Sequence, residues 1–285
     1  MAQLDRARRS KTALLLTLFA GSATFAGYIL ATYAWAALHL RFDLWNILLS
    51  GLYLPDVPAA TAVIALHFAA GATVMVLGPL QLWTPLRNRA PALHRIAGRL
   101  YLGAALGASV GGGAFIVLYG TVGGPVMSAA FSFYGLLMGI CAVQTWRLAV
   151  QRRFVAHRRW ALRLFVLGIG SLLYRFGYGL WGLVAGGLAG HQNDWQGPFD
   201  YAMDFLFYIP TLLICELYIA LESGRVRPAA HVENVLPASA GASLWTRVGL
   251  PSTTVALVLV LGLGLVLVAS QWWWPTIRDI QAQLS

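Results

Sequence analysis

The stretch that decides the fold is residues 67–99, HFAAGATVMVLGPLQLWTPLRNRAPALHRIAGR. It begins with an apolar run that contains one histidine, turns at Pro85 through a short basic loop, and resumes at His94 with a second apolar run. Another basic segment, RRFVAHRRWALR at 152–163, lies at the end of a further apolar run. Apolar runs of about 20 residues are long enough to cross a bilayer as helices. The pattern predicts membrane-spanning helices whose basic ends lie on one side of the membrane.

The composition of the whole chain is typical of a polytopic membrane protein. Of the 285 residues, 59% are hydrophobic and 11% are charged, and the mean hydropathy is +0.68. The net charge of +10 does not indicate nucleic-acid binding, because the cations stand in short clusters between apolar runs. Clusters of Lys and Arg in short loops mark the cytoplasmic side of a membrane protein. The sequence therefore predicts contacts with membrane lipids and no nucleic-acid partner.

Seven apolar runs have the length and composition of membrane spans. They cover residues 12–38, 59–84, 93–119, 126–150, 160–188, 201–221 and 249–271. With the N-terminus in the cytoplasm and the C-terminus outside, every basic loop lies on the inner side. We therefore predict an all-α, polytopic membrane helix bundle of about seven transmembrane helices, N-in and C-out.

Composition also divides the chain into four segments. These are a basic cytoplasmic segment at 1–11, a six-helix membrane bundle at 12–222, a cytoplasmic linker at 223–248, and the seventh helix with an outer tail at 249–285. Cys141 and Cys215 fall inside apolar spans and form no CxxC motif, so we expect small core residues and no disulfide or thiolate metal site.

Four ionisable or phenolic side chains are predicted to form an outer cluster. His67 and Arg175 fall in the outer halves of the second and fifth spans, and Tyr178 and Asp204 lie near the same level. Ionisable groups at membrane depth are costly and are candidate functional residues. We expect His67 either to make a structural hydrogen bond between helices or to bind a ligand. Arg175 is expected either to pair with Asp204 or to contact a substrate or cofactor.

A second group of polar residues lies at the inner ends of the spans. Two histidines open the third and fifth spans there, each with arginines on the following turns, and an acidic residue of the sixth span is expected to neutralise part of the charge. The group comprises His94, Arg95, Arg99, His157, Arg159, Arg163, Gln81, Gln144 and Glu216. A basic pocket of this kind suits an anionic headgroup, haem propionates or a quinone carbonyl. Alternatively, the histidines bond to backbone or lipid, and the arginines mark topology and contact lipid.

The predicted cofactor-binding set therefore draws on both groups. It consists of His67, His94, His157, Arg95, Arg99, Arg163 and Arg175. Neutral imidazoles are axial ligands of b-type haem, so the three histidines would be metal ligands if haem is bound. We predict that His94 and His157 approach each other on the inner side.

The motifs resemble those of a bacterial integral-membrane family known as domain of unknown function 2306. The set is H-x3-G at His67, G-P-x-Q at Gly78, H-R-x2-G-R at His94, H-R-R-W at His157, and Arg175. The likeness covers roughly residues 60–222 and leaves out the seventh span. It implies a multi-pass protein of the bacterial cytoplasmic membrane, and it implies no activity.

The sequence is also similar, more weakly, to transmembrane di-haem cytochromes b. His67 and His94 match two histidines that ligate haem in that family. The family's other two histidines have no clear counterparts, and His39 and His157 are the candidates to replace them. The resemblance implies b-type haem held without a covalent bond, since the sequence has no CxxCH motif.

Two functional hypotheses from different classes fit these patterns, and neither decides whether the protein is an enzyme. In the first, the protein is a redox or cofactor-binding membrane component that uses its histidines to hold b-type haem or a quinone. In the second, it is a non-catalytic accessory or scaffold subunit of a larger membrane complex and binds no cofactor. A transporter ranks third because no repeated halves are visible. Membrane hydrolase chemistry is disfavoured because HExxH and GxSxG motifs are missing.

Overall fold

The computed structural model describes residues 2–225 and 250–283, and all regular structure in these ranges is helical. The helices are α1 Ala2–Ile29, α2 Trp35–Leu38, α3 Trp45–Leu48, α4 Pro58–Leu82, α5 Thr84–Arg89, α6 Pro91–Tyr119, α7 Gly124–Val150, α8 Phe154–Gly168, α9 Gly170–Val184, α10 Pro198–Leu206, α11 Ile209–Arg225, α12 Leu250–Val268 and α13 Trp274–Ala282. The predicted all-α class is confirmed. The linker predicted at 223–248 lies almost wholly outside the described residues.

Within the described residues, seven helical segments are long and apolar enough to cross a membrane, which confirms the predicted number of spans. They are Thr12–Leu38, Pro58–Leu82, Pro91–Tyr119, Gly124–Val150, Phe154–Val184, Pro198–Gly224 and Val258–Ala282. The seventh differs from its prediction, because helical structure continues past residue 271 to Ala282. Trp273 and Ile280 are buried, and the Trp273 ring packs on Phe25 and Tyr28 of α1. Packing against the first span, which the local sequence does not reveal, extends this helix into the predicted tail.

The end of the seventh span lies on the same side as the segment after the first. Following the predicted orientation, we call the side that carries segments 39–57, 120–123 and 185–197 the outer side. Arg41 Nη1 donates a hydrogen bond to the backbone carbonyl of Gln283 at 3.1 Å. The Arg41 guanidinium also binds Asp43, and this hydrogen bonding lowers the pKa of the Asp43 carboxyl. An odd number of spans places the two segments on the same side, as this contact shows.

The spans pack mainly with their neighbours in sequence. Helix α4 lies between α1 and α6, α7 lies between α6 and α8, and α11 packs on α8. Helix α12 packs on α1 and α9, which joins the seventh span to the bundle. At Gly111 a Cβ would lie 2.9 Å from the Val63 carbonyl oxygen, so α4 and α6 approach closely where the third span carries three glycines. Small residues permit such close contact between helices in lipid.

The fifth and sixth spans are each broken near the middle of the bundle, which the sequence did not predict. Helices α8 and α9 are separated at Ile169, and α10 and α11 are separated at residues 207–208. The Tyr134 hydroxyl donates to the carbonyl of Leu167 at 2.6 Å. Broken helices are tolerated at membrane depth where other groups bind the freed backbone atoms, and this tyrosine of α7 does so.

The segment between the first two spans folds into a compact cap on the outer side. A 3₁₀ turn at Phe42–Leu44 leads into α3, and Trp45 is fully buried. The Trp45 indole Nε1–H donates to the Tyr33 carbonyl at 3.0 Å. That carbonyl lies in a π-helical turn, Leu30–Ala34, within the first span. The cap therefore fixes the part of the first span that faces the interior of the bundle.

Candidate functional site

A cavity of about 460 Å³ lies in the outer half of the bundle. Its walls come from the first six spans, and residues 49–52 and Leu54 of the outer cap border it. Most of the lining is apolar, and the larger polar or aromatic side chains are Tyr33, His67, Phe68, Phe115, Tyr119, Phe131, Tyr134, Tyr174, Arg175, Trp195 and Phe207. Pockets for small ligands typically measure about 300–1,000 Å³ and combine an apolar wall with a few polar groups. The cavity has that size and character.

His67 borders the cavity with one ring nitrogen already bound. Its Nδ1 lies 2.8 Å from the backbone carbonyl of Ala108 on α6. A carbonyl accepts and cannot donate, so Nδ1 carries the proton and donates it. In the neutral ring Nε2 then has a free lone pair. The structural hydrogen bond expected for His67 is present, and it leaves the second nitrogen available to a ligand.

Glycine at position 112 makes room for the His67 ring. A Cβ on Gly112 would lie 2.7 Å from His67 Nδ1 and 2.9 Å from Cε1. Those distances are shorter than van der Waals contact, so any larger residue at this position would displace the ring or α6. The imidazole is therefore positioned by both the Ala108 carbonyl and the glycine-lined face of α6.

Arg175 borders the same cavity and does not form the predicted ion pair with Asp204. Its guanidinium approaches the Tyr33 hydroxyl and interacts electrostatically with Tyr28. Asp204 is fully buried, and neither of its carboxyl oxygens has a hydrogen-bond partner in the described part of the chain. Successive residues on a helix point about 100° apart. Arg175 therefore points to the first span, whereas Tyr174 points towards α10.

Tyr178 belongs to a different cluster from the one predicted. Its hydroxyl donates to Asp200 Oδ1 at 2.7 Å, and His191 Nδ1 lies 2.7 Å from the same oxygen. The backbone N–H groups of Gln192 and Gly197 donate to Asp200 Oδ2 at 3.0 and 2.9 Å. Asp200 is fully buried and accepts hydrogen bonds on both oxygens. Sequence reasoning missed both Asp200 and His191.

A local signal for Asp200 was present in the sequence. Asp200 stands at the third position of α10, after Gly197 and Pro198, and its carboxylate accepts from the N-cap backbone. An acidic residue at this position is a recognised feature of helix N-termini. That signal indicates a structural cap, whereas the contacts with Tyr178 and His191 depend on tertiary packing.

His94 and His157 lie near each other at the inner side, close enough for their charges to interact. His157 Nδ1 donates to the Thr145 carbonyl at 2.9 Å, which leaves its Nε2 free in the neutral ring. His94 Nδ1 is buried and has no hydrogen-bond partner within residues 2–225 and 250–283. The two helices that carry these histidines, α6 and α8, are also in contact with each other: the Tyr101 hydroxyl of α6 donates a hydrogen bond to the Leu164 carbonyl of α8 at 3.3 Å. A ligand shared by the two histidines stays a prediction.

The predicted inner arginines have different surroundings. Arg163 Nε donates to Glu216 Oε1 at 2.5 Å, and its Nη2 donates to Oε2 at 2.7 Å. The Arg163 guanidinium also lies 4.8 Å from the ring centre of Trp160. Arg95 and Arg99 are exposed. The expected neutralisation by Glu216 is confirmed for Arg163, and the other two arginines are free to contact lipid headgroups.

The remaining candidate ligands are separate from the cavity. His39 is exposed, and its Nδ1 bonds to the Trp35 carbonyl at 2.9 Å. Cys141 and Cys215 are buried free thiols, as predicted. Within the described ranges, no group of three or more His, Cys, Asp or Glu side chains could hold a metal ion.

The predicted site residues fall within one stretch of the chain that carries a family signature. Residues 64–187 match the model of a predicted membrane protein family, DUF2306. The resemblance that the motifs predict is confirmed over these residues. The DUF2306 segment includes His67, Arg175 and both inner histidines, whereas Asp200 and the seventh span lie beyond it. No curated protein and no solved structure matches this chain.

Proposed function

We propose that this integral membrane protein binds a quinone-like compound, an apolar ring that carries oxygen atoms, in the outer cavity. The observation that supports this proposal is the presence of His67 and Arg175 in the lining of one largely apolar cavity. His67 Nε2 can accept a hydrogen bond from the hydroxyl of a reduced ring. The Arg175 guanidinium can donate to a ring carbonyl, because guanidinium groups have donors and no acceptor.

The lining also suits the apolar part of such a ligand. Phe68, Tyr134 and Phe207 contribute aromatic side chains to the wall. Flat rings pack favourably against aromatic edges and faces. The π-helical turn that carries Tyr33 and the break between α8 and α9 both adjoin the cavity. Local departures from regular helix are frequent at functional sites, which supports the same location.

The side chains that line the cavity suit a quinone better than they suit a haem. The cavity lining contains one imidazole, that of His67, whereas the predicted bis-histidine haem needs two facing rings. The groove between α6 and α7, like the outer cavity, does not border His94 or His157. A haem between those two histidines stays a prediction from sequence, and an absorbance spectrum of the dithionite-reduced protein tests it directly.

Titration of the purified protein with ubiquinone-1, a short-chain quinone, tests the proposal. Trp195 borders the cavity, so we expect saturable quenching of tryptophan fluorescence. His67→Phe should weaken binding at least about tenfold, which corresponds to the roughly 1.4 kcal/mol of one useful hydrogen bond. His39→Phe is the matched control, because His39 is exposed and does not border the cavity. Equal affinity in both variants, or quenching that does not saturate, would refute the quinone site.

A second candidate function, an accessory subunit of a larger membrane complex, has one specific observation in its favour. A groove of about 620 Å³ between α6 and α7 is lined by Gly113, Gly135 and Gly139. Glycines on a helix surface allow another transmembrane helix to approach closely. Purification in mild detergent should then recover a stoichiometric membrane partner, and Gly139→Leu should release it. A stable monomer that binds ubiquinone-1 by itself would argue against this function.

A further inference from the structure

We infer that four side chains, Tyr174, Tyr178, Asp200 and His191, form a relay that conducts protons between the outer cavity and the outer surface. The inference rests on the proposed function only for the identity of the proton donor in the cavity. A quinol hydroxyl is such a donor, and any other hydroxyl-bearing ligand would serve equally well.

The relay is continuous from the cavity to water. Tyr174 borders the cavity, and its hydroxyl donates to the Tyr178 hydroxyl at 3.4 Å. Tyr178 donates to Asp200 Oδ1 at 2.7 Å, and His191 Nδ1 lies 2.7 Å from that oxygen. The His191 side chain is 17% exposed, so it reaches solvent on the outer side. The contact between the two tyrosines is longer than the usual hydroxyl hydrogen bond of about 2.7–2.8 Å, and we expect it to limit the rate.

Every member of the relay can both gain and lose a proton. A hydroxyl donates one hydrogen bond and accepts others, and a carboxyl group and an imidazole each exchange a proton at neutral pH when suitably placed. The backbone N–H groups of Gln192 and Gly197 donate to Asp200 Oδ2, which leaves Oδ1 to Tyr178 and His191. Asp200 is thereby stabilised as an anion that can accept a proton from the tyrosine side.

The transfer balances without an oxidant. A cavity hydroxyl gives its proton to the Tyr174 oxygen while the Tyr174 proton moves to Tyr178 and the Tyr178 proton moves to Asp200. Outward transfer starts from the His191 tautomer that carries its proton on Nε2, so that the Nδ1 lone pair accepts the proton from Asp200 and the Nε2 proton leaves to water. The ring is then the Nδ1–H tautomer, which donates to the Asp200 anion and is the starting state for inward transfer. The reverse sequence brings a proton inwards. Only O–H and N–H bonds form and break, so the relay moves protons whatever electron chemistry the cavity ligand undergoes.

Aromatic side chains surround the middle of the relay. Trp195 and Phe199 pack against the Tyr178 ring with centroid distances of 5.2 and 5.0 Å. Trp195 also packs against His191 at 5.0 Å. Apolar rings around a hydrogen-bonded series exclude bulk water, so a proton at this point passes through the side chains.

The surroundings of the other ionisable groups near Asp200 favour Asp200 as the group that accepts the proton. Asp204 lies one helical turn further along and is fully buried, and the described part of the chain offers it no hydrogen-bond donor. A carboxylate without donors is very costly to bury, so Asp204 keeps its proton. Tyr208 of α11 and Tyr174 of α9 interact with Asp204 and are neutral phenols. Arg175, the cation of α9, points towards the first span and makes no ion pair with Asp200 within the described ranges.

A covalently attached pH indicator tests the relay without any bound quinone. Ser171 borders the cavity on α9, so Ser171→Cys in a Cys141→Ala, Cys215→Ala background offers one thiol for a nitrophenol maleimide. After a rapid drop in external pH, stopped-flow absorbance reports how fast the nitrophenolate is protonated. Tyr178→Phe removes the central hydroxyl and keeps the ring, and we expect it to slow protonation at least tenfold. His191→Gln should slow protonation similarly.

His39→Gln is the matched control and should leave the rate unchanged, because His39 is exposed on the same side and takes no part in the relay. Gel filtration and thermal unfolding check that each variant is folded. If Tyr178→Phe unfolds, His191→Gln still decides the question, because its side chain lies at the edge of the structure. Protonation at the wild-type rate in a folded Tyr178→Phe or His191→Gln variant overturns the relay. Failure of the ubiquinone-1 titration alone would remove the quinone and leave this result intact.

Discussion

At the scale of single residues, one backbone carbonyl decides what His67 can do. The Ala108 carbonyl fixes the proton on Nδ1 and so leaves Nε2 as the reactive nitrogen. The His67 ring is also held in place by Gly112 of α6, against which it packs. Sequence showed an imidazole at membrane depth, and the structure defines which of its two nitrogens is available.

Replacing Gly112 by alanine should displace the His67 ring. The added methyl group would lie 2.7 Å from Nδ1, and forcing an extra carbon into a packed interface costs about 1–3 kcal/mol. We expect a lower free energy of unfolding in detergent and weaker ubiquinone-1 binding. Gly103→Ala on the same helix is the control, since no atom lies within 4 Å of its added methyl group and Gly103 does not border the cavity. Identical behaviour of the two variants would contradict the proposed packing.

Arg163 was predicted to bind a cofactor, but its present contacts predict an effect on stability instead. Its guanidinium is engaged by Glu216 and Trp160 at the inner ends of spans five and six. Because the two charged side chains are 20% and 43% exposed, the pair should contribute about 1 kcal/mol or less. Arg163→Gln should therefore lower the free energy of unfolding slightly and leave ubiquinone-1 affinity unchanged. A loss of affinity in a stable variant would return Arg163 to the binding site.

At the scale of elements, the broken fifth span depends on tyrosines from neighbouring helices. The Leu167 carbonyl lies beside the break at Ile169 and accepts from the Tyr134 hydroxyl. Without that donor, a buried carbonyl beside the break would lose a bonding partner in a medium that offers no water. The break is therefore a stable feature that the packing of α7 against α8 permits.

Tyr134→Phe removes the hydroxyl that donates to the Leu167 carbonyl and should destabilise the fifth span around its break. Losing one hydrogen bond to the Leu167 carbonyl costs about 0.5–1.5 kcal/mol, so unfolding should require less denaturant. Hydrogen exchange at the amides next to Ile169 should also become faster. Tyr119→Phe is a suitable comparison, because Tyr119 borders the same cavity and its hydroxyl makes no hydrogen bond within the described ranges. Equal stability of the two variants would show that the Tyr134 hydroxyl is dispensable.

At the scale of the whole molecule, the contact between Arg41 and Gln283 puts the end of the seventh span beside the outer cap. The loop charges independently predict that this side faces away from the cytoplasm. A reporter enzyme that works only outside the cytoplasm should therefore be active when it is fused after the last residue. A reporter that works only in the cytoplasm should be active when it is fused before Met1. Activity of the C-terminal fusion in the cytoplasm would overturn the orientation.

The sequence by itself determined the architecture, because burial of apolar helices in lipid depends on length and composition, which are local properties. It also identified His67, Arg175 and the inner histidines as unusual, since an ionisable group in an apolar span is visible without a structure. Tertiary structure alone decided their partners: Arg175 points to Tyr33 and leaves Asp204 unpaired, and Tyr178 bonds to Asp200. Such contacts depend on helix rotation and on the breaks in spans five and six. Those in turn depend on packing between segments far apart in the chain, which local sequence does not encode.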